Sequence, residues 1–239
     1  TNNLKFNGGS DVITNLDDTG IFQTVGPAAH YLSANSPYRN VGTTNINATL
    51  LAALKQRTTY PPILLSNAIT SDTTLTPQAQ RDTDGPDLGY EYDPVDWLVG
   101  GLVVSNAPLS LSGGAVLAAY GNVGILLKTN SLFLSQSSAD APNVLTRYNM
   151  AQEDTSTNWS GTTPYYQTVW TYDENATTTI RLRFTRLTLP AGSGYHLDSS
   201  NLKSVFTAEH CQFYSSGFRW EVGSLVTFMT ESPVVLMVL

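Results

Sequence analysis

The chain has 239 residues, of which 41% are hydrophobic and 13% charged, about half of the ~25% of charged residues usual in soluble domains. Thr, Ser, Asn and Gly take the place of the missing charges, a mixture that is typical of extracellular β-proteins and argues against a helical cytosolic enzyme. The net charge of −7 without a basic stripe argues against nucleic acid as a partner, and no apolar run approaches the ~20 residues of a membrane-spanning helix.

The first quarter of the chain predicts short strands followed by two helical pieces. Residues 1 to 25 alternate apolar and polar side chains between turns rich in glycine and asparagine, which is typical of strands. Residues 28–32 and 47–55 are the plausible helical stretches, and Asn47 is a candidate N-cap for the second of them.

An acidic loop lies at the centre of the polar, turn-rich stretch from residue 70 to residue 97. Asp82, Asp84 and Asp87 are candidate Ca²⁺ ligands, because oxygen ligands at alternating positions suit this ion. The loop lacks the closing glutamate of a complete EF-hand. The alternative is that Arg81 pairs with Asp84 or Asp87 while the carboxylates accept hydrogen bonds from the turn. No other cofactor is predicted.

Short strands resume at residue 98, and the polar range 136–179 is interpreted as a long inserted loop or hairpin. This range is rich in aromatic residues, which glycan-binding surfaces use as contact groups. The alternative interpretation is that these rings pack the insertion onto the rest of the fold. The candidate glycan contacts are Trp159, Tyr165, Tyr166 and Trp170.

The last quarter of the chain predicts strands again and contains its densest basic stretch. Arg181 and Arg183 alternate with apolar residues, which places both guanidinium groups on one side of a strand. They are interpreted as a solvated strand face, with a site for a sulfated or acidic glycan as the alternative. Cys211 is the single cysteine, so no intrachain disulfide can form, and it is predicted to be a partly buried strand residue.

The spacing of these segments predicts an all-β fold, a right-handed parallel β-helix (solenoid) with the inserted loop or hairpin region and one or two short helices. Strands of three to five residues recur with short connections and without the turn dipeptides of hairpins, whereas a sandwich would use longer strands. The turns of such a coil cannot bury their own inward residues, so they must stack on one another.

The segment Arg81-Asp-Thr-Asp-Gly-Pro-Asp-Leu-Gly-Tyr-Glu-Tyr92 resembles a motif of large secreted bacterial proteins with right-handed parallel β-helices of the pectin-lyase-like superfamily. The resemblance is sharpest from residue 28 to residue 97. It implies a β-helical fold and export from the cell, but no particular activity. Because the motif often closes a β-helical domain, residues 1–97 are predicted to end one coil and residues 98–239 to start the next.

The two ends of the chain predict a structural, self-assembling role, as one repeat of a tandem array or a subunit. The C-terminal residues predict an apolar strand without a cap, and the N-terminal residues predict a matching turn and strand. Head-to-tail contact between copies is therefore expected, in an extracellular fibre or a giant cell-surface protein. The predicted interface residues are Thr1, Asn2, Asn3, Leu4, Phe6, Val234, Val235, Leu236, Met237, Val238 and Leu239.

The alternative function is that of a polysaccharide lyase or hydrolase, or of a glycan-binding β-helix with extracellular polysaccharide as its partner. Glycoside hydrolysis needs two carboxylates across a cleft. The adjacent acidic pair Asp17 and Asp18 falls in a polar turn and is interpreted as solvated. The sequence contains no complete catalytic motif, so no enzymatic activity is predicted.

Overall fold

The computed structural model describes residues 17–152, 166–172, 177–189, 194–200, 203–220, 225–229 and 235–237. Within these ranges the chain forms short strands and two short helices. The first elements are β1 (Phe22–Val25), β2 (Ala28–Leu32), α1 (Ala48–Leu54), β3 (Ile63–Leu65), β4 (Thr73–Leu75), β5 (Trp97–Val99), β6 (Leu102–Val104), β7 (Pro108–Ser112), β8 (Val116–Ala119) and β9 (Val123–Leu127). They are followed by β10 (Ser131–Gln136), β11 (Asn143–Arg147), α2 (Tyr148–Ala151), β12 (Tyr166–Thr171), β13 (Thr178–Arg183), β14 (Thr185–Thr188), β15 (Gly194–Ser199), β16 (Ser204–Glu209), β17 (Gln212–Tyr214), β18 (Gly217–Trp220), β19 (Leu225–Met229) and β20 (Val235–Met237).

Three parallel sheets make up most of the described chain. Sheet 1 has the order β19-β16-β13-β10-β7-β4, sheet 2 the order β20-β17-β14-β11-β8-β5-β3, and sheet 3 the order β18-β15-β12-β9-β6. From β7 onward, each strand is therefore bonded to the strand three places earlier, and the chain visits the three sheets in turn, whereas β3 pairs with β5. This confirms the predicted mostly-β class and its parallel strand pairing.

The inward faces of the three sheets enclose one hydrophobic core. In sheet 1, Phe133 lies in register between Leu109 and Ile180, and all three side chains are buried. Because side chains alternate along a strand, the residues between them point outward, as Leu134 and Arg181 do. The alternation read from the sequence thus corresponds to an inside and an outside of each sheet.

A second, smaller core lies on the outer face of sheet 2. The hairpin formed by β1 and β2 packs there with residues 92–95, burying Tyr31 and Tyr92 against Leu98 and Ala118. The Tyr31 hydroxyl bonds to the Tyr148 hydroxyl at 2.6 Å and also contacts the Gln152 side chain. Sheet 2 is consequently covered on both sides at β5 and β8.

Residues 28–32, predicted to be helical, form strand β2 instead. They pair antiparallel with β1, with Phe22 opposite Leu32, and the turn between the strands places Gly26 at φ 60°. A helix this short would satisfy few of its own backbone groups, whereas the hairpin satisfies them across the pair. The second predicted helix is confirmed as α1, and the Asn47 side chain accepts hydrogen bonds from Thr49 N and Leu50 N.

The range 136–179 is not an independent insertion where the structure describes it. Strand β11 pairs with β8 and β14, and strand β12 pairs with β9 and β15, so both belong to the parallel sheets. Polar residues at Asn143, Thr146 and Thr168 made this range look like a loop, yet all three are buried. Residues 153–165 lie outside the described ranges.

The sheets also continue across residues 97 and 98, where the sequence predicts a boundary between two coils. Strand β3 pairs in parallel with β5, and β4 pairs with β7. Leu75 and Val99, on either side of the predicted boundary, belong to the same core. The turn-rich residues 76–96 therefore leave the sheets and return to them, instead of closing one domain and opening another.

Candidate functional site

The acidic loop is held in place by an ion pair with a distant arginine. Arg39 Nη1 lies 2.8 Å from Asp87 Oδ2, and both side chains are almost fully buried. The second Asp87 oxygen accepts a hydrogen bond from Asn40 N at 2.8 Å, and the Thr59 hydroxyl also donates to Asp87. Asp87 is thus fully engaged by protein donors. Its partner is Arg39, not the predicted Arg81, whose Nη1 donates to the Ala79 carbonyl.

The other two candidate Ca²⁺ ligands lie in different environments. Asp82 is buried and accepts a hydrogen bond from Asp87 N at 2.9 Å, while Asp84 is exposed. Burial, and then the charge of Asp87, raises the pKa of Asp82. Among the residues that the structure describes, no group of three or more His, Cys, Asp or Glu side chains could hold a metal ion. The hydrogen bonds of Asp82 and Asp87 make the loop a structural clasp that is joined to Arg39 and Asn40.

Glu91 lies beside this loop with both carboxylate oxygens buried and without a hydrogen-bond partner in the described ranges. Burial, followed by the charge of Asp82, raises its pKa to about 8. Its flanks are tied to the segment before β3, because Tyr92 and Thr58 exchange backbone hydrogen bonds and Arg57 donates to the Glu91 carbonyl. Glu91 is therefore a carboxyl group held largely protonated at neutral pH.

The outer face of sheet 3 carries the aromatic cluster closest to the predicted glycan contacts. Trp170 in β12 stacks at a tilt on Tyr172, with the ring centroids 4.7 Å apart, and its indole N–H lies 3.4 Å from Ser200 Oγ. Tyr172 is 59% exposed, so the pair presents one ring to solvent.

A buried carboxylate completes this face next to Trp170. Asp198 in β15 pairs across the sheet with Trp170 on one side and Arg219 on the other. Arg219 donates two hydrogen bonds to Asp198, at 2.8 and 2.7 Å, and the Gln167 amide donates a third at 3.0 Å. The Arg219 guanidinium also lies 5.4 Å from the centre of the Tyr195 ring. Aromatic, amide and guanidinium groups therefore meet on one surface.

The structure brings together only part of the predicted glycan set. Trp159 and Tyr165 lie outside the described residues, and for Tyr166 only the backbone, which begins β12, is described. Asp198, Arg219 and Tyr195 were missed. Their strands supplied alternation, but nothing in a single sequence indicates that Trp170, Asp198 and Arg219 lie in one row across three strands.

The predicted assembly residues fall at the far end of the sheets. Val235, Leu236 and Met237 form β20, which pairs in parallel with β17 and is the outermost described strand of sheet 2. The other predicted interface residues, Thr1 to Leu4, Phe6, Val234, Val238 and Leu239, lie outside the described ranges.

Two further features of the sequence with reactive side chains are Cys211, which is buried in the core, and the exposed pair Asp17 and Asp18. The Cys211 thiol contacts the Glu209 carbonyl, and burial raises its pKa to about 11, so it is a poor nucleophile. Asp17 and Asp18 are exposed, and Asp17 Oδ1 accepts a hydrogen bond from Thr19 N at 2.9 Å within a turn. These groups act in local structure.

Comparison of the chain with models of known protein families, with curated proteins and with solved structures finds no match. None of the helices within the described ranges is long and apolar enough to cross a membrane.

Proposed function

We propose that the three sheets wind as a right-handed parallel β-helix and that this coil is a structural module that stacks end to end with further copies outside the cell. The observation that carries the proposal is the order of the strands from β7 onward, each bonded in parallel to the strand three places earlier in all three sheets. Among the described strands, none pairs with the outer edge of β3 or β20, and such an edge can pair with a strand of another coil.

Two arguments support the finer description of the fold. Parallel strands joined by a crossover within one sheet are right-handed in about 98% of cases, which favours a right-handed coil. The resemblance of residues 81–92 to large secreted bacterial β-helix proteins of the pectin-lyase-like superfamily is consistent with the same fold and with a place at the cell surface.

The end of the coil at β3 has the apolar surface that stacking requires. Ile63 lies on the same side of β3 as Leu65, which packs against the main core, yet Ile63 is 45% exposed. Its neighbour Leu64 is also exposed. No described strand pairs with β3 on the side away from β5. A second copy adding its outermost strand there would bury both side chains and satisfy the edge.

The proposal is tested by placing a charged side chain at the free edge of β3. Substituting Ile63→Lys is expected to abolish concentration-dependent association, because a lysine that points into a stacking interface would have to be desolvated. Association of the wild-type chain and the variant would be measured by sedimentation velocity over a wide concentration range and by electron microscopy of negatively stained material.

The matched control is Val41→Lys, which places the same charge on a side chain that is 54% exposed and lies outside the sheets. This variant should associate as the wild-type chain does. A wild-type chain that remains monomeric at every concentration, or equal loss of association in both variants, contradicts the stacking proposal.

A second candidate function is glycan binding on the outer face of sheet 3, favoured by the Trp170–Tyr172 pair, whose Tyr172 ring is exposed, beside the Asp198–Arg219 ion pair. Aromatic faces contact the apolar face of a sugar while amide and charged groups bind its hydroxyls.

Trp170→Ala should remove binding on a glycan array, and Tyr120→Ala would control for general loss of an aromatic ring. Lyase or hydrolase activity on the glycans that bind would show as newly formed chain ends. An array without hits removes this candidate.

A further inference from the structure

The outer face of sheet 1 gathers two arginines that neither the stacking ends nor sheet 3 involves. Arg181 and Arg183 lie two residues apart in β13 and point outward, and both are exposed. Residues two apart on a strand are separated by about 6.7 Å, so the two guanidinium groups start from neighbouring positions on one face.

The neighbouring strands surround these arginines with polar side chains. In register, Arg181 lies beside Thr207 of β16, and Arg183 lies between Gln136 of β10 and Glu209 of β16. Adjacent strands are about 4.8 Å apart, so these side chains form a small grid on the sheet surface. An open cavity of about 330 Å³ is lined by Gln136, Arg181, Leu182, Arg183, Thr207 and Glu209.

The charges in this cavity are only partly balanced. Arg183 Nε lies 3.5 Å from Glu209 Oε2, and both side chains are substantially exposed, so the pair is loose. Arg181 has no ion pair within the described part of the chain, and the side chains of Gln136 and Thr207 make no hydrogen bond there. Two guanidinium groups against one carboxylate leave the cavity positive on a chain whose net charge is −7.

We propose that this cavity, termed the arginine cavity, binds the oxyanion groups of an acidic polysaccharide. The planar fork of an arginine matches a carboxylate or a sulfate, and the Gln136 amide and Thr207 hydroxyl are placed to bind sugar hydroxyls. The size lies at the lower end of the ~300–1,000 Å³ typical of ligand pockets, as expected for a surface that holds one or two units of a longer chain.

The test uses three soluble polysaccharides and the full chain. Binding to heparin (sulfated), polygalacturonate (carboxylated) and dextran (neutral) would be measured by affinity electrophoresis and calorimetry at low ionic strength. The wild-type chain is expected to bind at least one of the two acidic polymers, more weakly as salt is added, and not dextran. Preference between heparin and polygalacturonate identifies the anion as sulfate or carboxylate.

Two substitutions should act in opposite directions. The double variant Arg181→Ala with Arg183→Ala should lower the affinity by roughly tenfold or more, since it removes charge-assisted hydrogen bonds. Glu209→Gln should raise it by about threefold, because it releases Arg183 and removes a repulsive charge. A merely unfolded protein cannot produce this increase.

The matched control is Arg186→Ala, which removes an arginine of the same stretch that faces outward from sheet 2 and bonds to Gln212. Its affinity should equal that of the wild-type chain. Equal loss in this variant, lower affinity of Glu209→Gln, or no binding to either acidic polymer overturns the arginine cavity. Repeating the measurement on Ile63→Lys separates this result from the stacking proposal, since the cavity lies away from that edge.

Discussion

At the scale of single residues, the fully buried His196 is expected to make the stability of the fold depend on pH. The His196 ring lies 5.9 Å from the Phe213 ring and 5.8 Å from the Phe218 ring, and neither ring nitrogen has a hydrogen-bond partner in the described ranges. Burial lowers the pKa of His196 from 6.5 to about 4. The imidazole is therefore neutral in the folded chain, and protonation favours the unfolded chain.

This pKa difference predicts an acid-labile fold. Above pH 6.5 the histidine is neutral in both the folded and the unfolded chain, so it does not change the free energy of unfolding. As the pH falls from 6.5 to about 4, only the unfolded chain takes up the proton, and the free energy of unfolding should drop by roughly 3 kcal/mol. His196→Leu should remove most of this dependence. Urea unfolding followed by fluorescence at pH 7, 5 and 4 measures it, and an unchanged pH dependence in the variant would show that other groups cause the acid lability.

Glu91 must be separated from this effect because its slope has the opposite sign. Its pKa is raised to about 8, so the folded chain binds the proton more tightly and the free energy of unfolding falls as the pH rises from 4.5 to 8. Between pH 4.5 and pH 6.5 the two contributions oppose each other. The difference between the wild-type chain and His196→Leu at each pH isolates the histidine, and Glu91→Gln should flatten the alkaline side.

At the scale of elements, the corner between sheets 1 and 2 is fixed by a buried amide. Asn143 Oδ1 accepts hydrogen bonds from Gly114 N at 3.0 Å and from Ala115 N at 3.1 Å. Its amide nitrogen donates to the Leu111 carbonyl at 2.7 Å and to Ser135 Oγ at 3.1 Å. One side chain therefore joins the corner before β8 to the corner before β11, and it satisfies backbone groups that neither sheet satisfies.

Asn143→Ala is expected to lower the free energy of unfolding by about 2–3 kcal/mol, because buried donors and acceptors lose their partner. Asn67→Ala, at an exposed bend without side-chain hydrogen bonds among the described residues, should change it by less than about 0.5 kcal/mol. Thermal and urea unfolding of both variants provide the comparison. Equal stability of the two variants would mean that water replaces the lost amide.

Strands and helices that carry their own local signal are predictable from the sequence, whereas those whose signal depends on neighbouring strands are not. Residues 178–183 were recognised because apolar and charged side chains alternate, and α1 because Asn47 caps it. Residues 143–147 were missed because Asn143 and Arg147 are polar but buried. The Arg39–Asp87 ion pair was missed because its partners lie 48 positions apart in the sequence, and no local pattern connects them.

At the scale of the whole molecule, sheet 2 divides two cores of different composition. Its inner face contributes aliphatic side chains such as Leu117 to the main core, and its outer face contributes Leu98 and Ala118 to the tyrosine-rich second core. The acidic clasp at Asp87 holds the covering segment from the far side through Arg39. Loss of the packing in the second core, or of the Arg39–Asp87 ion pair, is expected to expose the outer face of sheet 2 while the three sheets remain paired.

The order of strands within the sheets has a mechanical consequence. Hydrogen bonds between neighbouring strands run along the direction in which successive strands are stacked, so tension applied along that direction loads one layer of bonds at a time. The molecule should therefore yield by peeling from its ends under low, repeated force steps, whereas tension across the stack would load whole strands in shear. If such units stacked into a fibre, the fibre would unfold at low force when pulled along its axis and would resist higher force applied across the axis.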